Sequence, residues 1–220
     1  MKLWVGELDS YNLVVRAQEK VEQLRASDGI KAGYMDTMMA SLPPLWRHTG
    51  KDGSTAVIEI NGPLVAGEAA YMRLFGVIGY DEVQKAAIEA ATHSDTKNML
   101  YHINTPGGDV TGLMEACDLI AQISAMKPSA THTTEQICSA GYWLASSIKD
   151  NFITAGPTAA VGSIGVLKVH TERSKAMEDS GVKVTVIRSG KYKAEVNPIE
   201  PLTAEIKARA ESQIADVHAM

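Results

Sequence analysis

Ile137-Cys138-Ser139-Ala140-Gly141-Tyr142-Trp143-Leu144-Ala145 decides how this chain reads. Small and apolar residues dominate it, and their spacing predicts a short buried helix beginning at Ser139, with Trp143 one turn on as core. The preceding Ser129-Ala130-Thr131-His132-Thr133-Thr134 is rich in β-branched residues and predicts a short strand. The first N–H groups of a helix lack intrahelical partners and carry partial positive charge. A serine at that junction is therefore either a plain N-cap or a hydroxyl held where developing negative charge is stabilised. The stretches around it separate the two.

Composition narrows the field first. Hydrophobic residues make up 45% of the chain but aromatic ones only 5%, so the core is predicted to be Ala, Val, Ile, Leu and Met. A length of 220 residues suits one domain with an appendage, or two small domains. The net charge is −5 and no Lys/Arg cluster exceeds two neighbours, which argues against a nucleic-acid partner. No apolar run approaches the ~20 residues of a bilayer span, and Met1 to Glu7 lacks the apolar core of a signal peptide. The expectation is a cytoplasmic protein with no membrane anchor. Cys117 and Cys138 sit in helix-like apolar patterns and read as buried free thiols. The histidines (48, 93, 102, 132, 170, 218) show no ligand spacing, so neither metal nor cofactor is expected.

In chain order, residues 1–53 read as an N-terminal helix and linker. Ser10 is placed to cap the helix, with Leu13, Val14, Ala17, Val21 and Leu24 on one face. Gly29 to Gly53 reads as an apolar linker in which Trp46 docks on something. From residue 54 the pattern alternates. Ala56–Ile60 and Met99–Ile103 predict strands, and Val83, Ala86, Ala87, Ala90 and Ala91 mark a helix opened by a box of Asp81 and Gln84. Leu113, Ala116, Cys117 and Ile120 mark the next helix. Phe152–Thr154, Val161–Leu167 and Val182–Ile187 predict further strands. A charged helix runs from Thr171 to Gly181, and Pro201-Leu202-Thr203 starts the last one. Strands alternating with helices predict an α/β domain with a mostly parallel sheet over 54–220.

Two more stretches bear on chemistry. Pro106-Gly107-Gly108 follows a strand, where α/β sheets place ligands. Paired glycines let amides approach a substrate and point at an anion, or they simply make a tight turn. Ser189-Gly190-Lys191-Tyr192-Lys193-Ala194 is either a solvated basic loop or the source of a general base, and a lysine serves as one only when its surroundings favour the neutral form. Ser146-Ser147-Ile148-Lys149 and Ser180-Gly181-Val182-Lys183 match S-x-x-K without the S-D-N and K-T-G partners of a β-lactamase site. Ile137 two residues before Ser139 breaks the G-x-S-x-G pattern of α/β-hydrolases.

Taken together and in order, Asn104-Thr105-Pro106-Gly107-Gly108, Cys138 to Ala145, Val161-Gly162-Ser163-Ile164-Gly165-Val166 and Ser189-Gly190-Lys191-Tyr192-Lys193 resemble the S49 family of serine peptidases. That family includes signal peptide peptidase A and the head-maturation proteases of tailed phages. The resemblance covers about residues 54 to 205 and implies a ClpP/crotonase-like β-α superhelix. It implies Ser139 as nucleophile and, because the family loop reads S-G-x-x-K, Lys193 as base. It implies backbone N–H groups at Gly107, Gly108 and Ala140 as the oxyanion hole. Ala194-Glu195-Val196-Asn197-Pro198 departs from the Asp that usually follows the lysine in signal peptide peptidases, and looks more like the phage branch. The resemblance therefore implies a capsid maturation protease acting on polypeptides such as scaffold or capsid proteins, or on itself, as a homo-oligomer. Four alternatives stay open beside it: signal-peptide-peptidase-like degradation of peptides, a Ser–His–Asp peptidase with His170 as base, a capsid or scaffold protein that keeps the fold without turnover, and a crotonase-type CoA binder.

Overall fold

The computed structural model describes residues 4–6, 8–26, 32–67, 70–150 and 153–220. Gly29 and Phe152 lie outside the described residues, as do the side chains of Ser10 and Leu24. The chain divides into two compact units, Val5–Gly165 and Met1–Trp4 with Val166–Met220.

In chain order the elements begin with β1 (Trp4–Gly6), α1 (Leu8–Ala26), α2 (Ala32–Ala40) and β2 (Trp46–Thr49). Then come β3 (Thr55–Asn61), β4 (Leu64–Val65), a 3₁₀ turn at Ala70–Phe75 and β5 (Ile78–Gly79). The βαβ part follows as α3 (Tyr80–Thr92), β6 (Asn98–Asn104), β7 (Gly107–Asp109), α4 (Leu113–Met126) and β8 (Ser129–Thr133). It ends with β9 (Gln136–Cys138), α5 (Ala140–Ser146), β10 (Ile153–Ala155) and β11 (Ala160–Gly162).

The main sheet runs β10-β8-β6-β3-β2, parallel except for β2 at its edge, as the alternation predicts. Along β6 every second residue is buried, so Met99, Tyr101 and Ile103 face inward, level with Ala56, Ile58 and Ile60 of β3. Helix α3 buries Val83, Ala86, Ala87, Ala90 and Ala91 as expected, and packs on β3 and α4. Burial of an Ile or Leu of this core contributes about 1.5–3 kcal/mol, so small aliphatic side chains suffice. The two cysteines are free and buried, and burial pushes the Cys117 thiol up to about 12, leaving it inert.

Four expectations are corrected. The helix over 1–28 starts at Leu8, which places Ser10 inside it, and Leu13 is exposed while Val14, Ala17 and Val21 are buried. Gly29–Gly53 is no linker: α2 and β2 form within it, and Trp46 Nε1 donates to Glu89 at 3.2 Å with its ring edge-on to His48 and His93. Helix α3 is opened not by a box of Asp81 and Gln84 but by Glu82, whose carboxylate accepts from the Gly79 amide at 2.9 Å. Val182–Ile187 pairs with no strand.

The face of the sheet away from α3 carries a polar row set by register: Glu59 lies opposite His102, His102 opposite His132, and His132 opposite Thr154. Glu59 meets His102 Nδ1 at 2.6 Å and Arg47 at 2.9 Å, and the two imidazoles stack at 5.6 Å. Burial pushes the Glu59 carboxyl up, but the hydrogen bonds and charges of His102 and Arg47 outweigh it and hold the carboxyl below its ordinary value. A lowered carboxyl adds stability that is present above the unfolded-chain value of 4.5 and is lost as pH falls through the folded value. Urea midpoints measured from pH 6 to pH 3 should therefore fall further for the wild type than for Glu59→Gln. Equal falls would remove this ion-pair account.

The second unit holds α6 (Ser174–Asp179) and α7 (Ala204–His218), the latter starting after Pro201-Leu202-Thr203 as expected and capped by Thr203, whose hydroxyl accepts from the Ile206 amide at 3.3 Å. None of residues 166–220, all of them described, is buried. Val182 is 51% and Ile187 94% exposed, so this unit has no interior of its own.

Candidate active site

Ser139 sits between β9 and α5 with φ 54° and ψ −113°, a conformation that costs an L-residue on the order of 1–3 kcal/mol. It occupies the N-cap position, yet its side chain makes no capping bond. Only 4% of the residue is exposed, and among the described residues its Oγ has no hydrogen-bond partner. Plain capping is therefore not what this serine does. The backbone is fixed on both sides instead. Its amide donates to the Gly162 carbonyl at 2.8 Å, and its carbonyl accepts from the Trp143 amide at 3.0 Å. A sharp strand-to-helix turn of this kind lifts a hydroxyl off a sheet edge without the G-x-S-x-G sequence that usually announces it.

The glycine stretch forms β7 and pairs with β4 through Gly108 and Leu64. A Cβ on Gly108 would lie 2.1 Å from the Leu64 carbonyl oxygen, so only glycine allows this approach. The Gly107 amide donates to the Thr105 hydroxyl at 3.2 Å. Asp109, buried at the far end of β7, accepts from the Ala66 amide at 3.2 Å, while its carbonyl accepts from the Tyr80 hydroxyl at 2.7 Å. Ala140 is the first residue of α5, a position whose N–H has no partner within the helix.

Asn104, quoted above only as the first residue of a motif, has a structural role that the sequence reading did not assign. Its Oδ1 accepts from Thr133 Oγ1 at 2.7 Å and from the amides of Thr134 and Glu135 at 3.2 and 3.0 Å, pinning the loop that leads into β9. An amide side chain at a strand end, one residue before a Thr-Pro pair, was the available signal.

The lysine loop belongs to the other unit. Lys191 is engaged: it pairs with Glu205, a hydrogen bond that raises its pKa, and it lies over the Tyr192 ring at 5.1 Å. Lys193 is exposed and makes no ion pair among the described residues, and Ala194 after it has φ 56°. His170 also falls in this unit, with Nε2 unpartnered among the described residues. Among the described residues no three His, Cys, Asp or Glu side chains are grouped to hold a metal, and no helix is long and apolar enough to cross a membrane.

A mostly parallel α/β sheet that presents a strained, buried serine beside a glycine strand is the framework on which nucleophilic hydrolases are built. Residues 121–220 match the model of Peptidase family S49. The chain is 33% identical to capsid assembly protease C of Escherichia phage lambda over 159 residues, 72% of this chain and 36% of that protein. It is 30% identical to head-tail preconnector protein GP5 of Enterobacteria phage P21, over 72% of this chain and 31% of that one. It thus spans about a third of the length of these relatives. An enoyl-CoA hydratase/isomerase family member overlaps 63% of this chain and 53% of its own at 15% identity and a TM-score of 0.39, which says nothing about chemistry here.

Proposed function

We propose that the chain is a serine endopeptidase of phage or prophage capsid maturation, with residues 54–220 as its peptidase domain, acting on scaffold or capsid polypeptides. The observation that carries this is the orphaned Ser139 hydroxyl, held in a strained backbone beside a glycine strand. Neutral Lys193 takes the proton from Oγ, which attacks the scissile carbonyl carbon, and the carbonyl π pair moves to oxygen. Gly108 and Ala140 donate to that oxyanion, because the Gly107 and Ser139 amides are already committed to Thr105 and Gly162. Collapse expels the amine, which takes the proton back from Lys193. Water, deprotonated by the same lysine, then attacks the acyl ester; the C–Oγ bond breaks, Lys193 returns the proton to Oγ, and the acid leaves free Ser139.

Lys193 is preferred to Lys191 because the latter is held charged by Glu205. A unit with no buried side chain supports a homo-oligomer, in which neighbouring copies supply the cover and complete the dyad. The test is mass spectrometry of co-expressed capsid and scaffold proteins, with fluorophosphonate labelling of the chain. Processed partners and a labelled Ser139 are expected from the wild type and neither from Ser139→Ala. Identical processing by both chains would remove the proposal.

A further inference from the structure

Thr105 touches both halves of the candidate site with different atoms. It is wholly buried at the end of β6. Its Oγ1 accepts from the Gly107 amide at 3.2 Å and donates to the Gly107 carbonyl at 3.3 Å. Its methyl occupies the space beside Gly141 in α5, where a Cβ would lie 2.1 Å from Thr105 Cγ2. Its backbone stitches the same region together. The Thr105 amide donates to Gln136 at 2.9 Å, and its carbonyl accepts from Cys138 at 3.0 Å, one residue before the serine.

We propose that Thr105 is a positioning residue that fixes the separation between the glycine strand and Ser139. It does so with two arms, the hydroxyl holding Gly107 and the methyl seating α5. This rests on the reading of Ser139 as nucleophile. Hydroxyl and methyl diverge from one Cβ, and threonine is stiff about χ1, so neither contact moves without the other. That stiffness matters because oxyanion donors work only within about 2.7–3.1 Å of the developing charge, and a misplacement of about 1 Å costs on the order of 10²-fold. A serine at 105 would supply only the first arm, and a valine only the second.

The experiment uses the full chain in its assembled state and compares wild type, Thr105→Val and Thr105→Ser. It reads the rate of Ser139 labelling by a fluorophosphonate, peptide kcat and KM, hydrogen exchange at the Gly107 amide, and the melting temperature. Thr105→Val is expected to lower labelling and kcat about 10- to 100-fold with KM within about twofold, and to deprotect the Gly107 amide. Thr105→Ser is expected to lose about threefold through looser seating of α5. A folded Thr105→Val labelled at the wild-type rate overturns the proposal, as does a kcat loss that only tracks the fraction unfolded. Should the valine variant not fold, the serine variant decides, and labelling equal to wild type overturns the two-arm account. A wild-type chain unlabelled at Ser139 removes the nucleophile and this inference together, whereas full-rate labelling of Thr105→Val removes this inference alone.

Discussion

Ser139→Ala should leave a folded chain whose cleavage rate is lower by about 10⁴–10⁶-fold, the scale on which nucleophile removal acts in other serine peptidases. Folding should hardly notice the change. The Oγ makes no hydrogen bond among the described residues, so the substitution breaks none and relieves a buried hydroxyl of its desolvation cost. Ser139→Gly goes further, because it also releases the strain at φ 54°, and is expected to raise unfolding free energy by about 1 kcal/mol. Urea unfolding beside a peptide assay separates the two effects. A hydroxyl that weakens the fold and bonds to nothing among the described residues supports the proposed role of Ser139 as nucleophile. A Ser139→Ala chain that cuts at full rate would end that interpretation, whatever its stability.

Lys193→Ala should cost about 10²–10⁴-fold in kcat/KM, the contribution of a general base, while Lys191→Ala should keep most activity. The surroundings support the same choice as the S-G-x-x-K spacing. Lys191 Nζ is tied to Glu205 and lies over the Tyr192 ring, whereas Lys193 makes no ion pair among the described residues. The two variants are to be assayed at several protein concentrations. If Lys193 reaches a neighbour's serine, mixing Ser139→Ala with Lys193→Ala chains should restore part of the activity, since some pairings then hold one intact dyad. Equal losses for the two lysines would leave Ser139 without its proposed base.

Much of the fold was legible because burial enforces periodicity. The small residues from Val83 to Ala91 and the alternation along Met99–Ile103 have packing neighbours on every repeat, and both elements form where the pattern puts them. The failures occur where pattern competes with context. Residues 29–53 looked like a linker because Gly and Pro punctuate them, yet α2 fits between the breakers and β2 gains a partner in β3. Val182–Ile187 has strand composition but pairs with none. At the site, the fold brings together three of the four quoted stretches, around Thr105, Ser139 and Gly162. They could not show that Ser139 takes a left-handed conformation, since nothing in a Cys-Ser-Ala run demands one. It is imposed by the bonds of Gly162 and Thr105, distant in sequence.

The absence of an interior in residues 166–220 reaches beyond stability. If neighbouring copies supply the missing cover, as proposed above, the lysine that this segment carries is delivered only where copies are crowded. For the peptidase proposed above that would be a safeguard: dilute molecules would stay idle, and cutting would wait until copies are gathered.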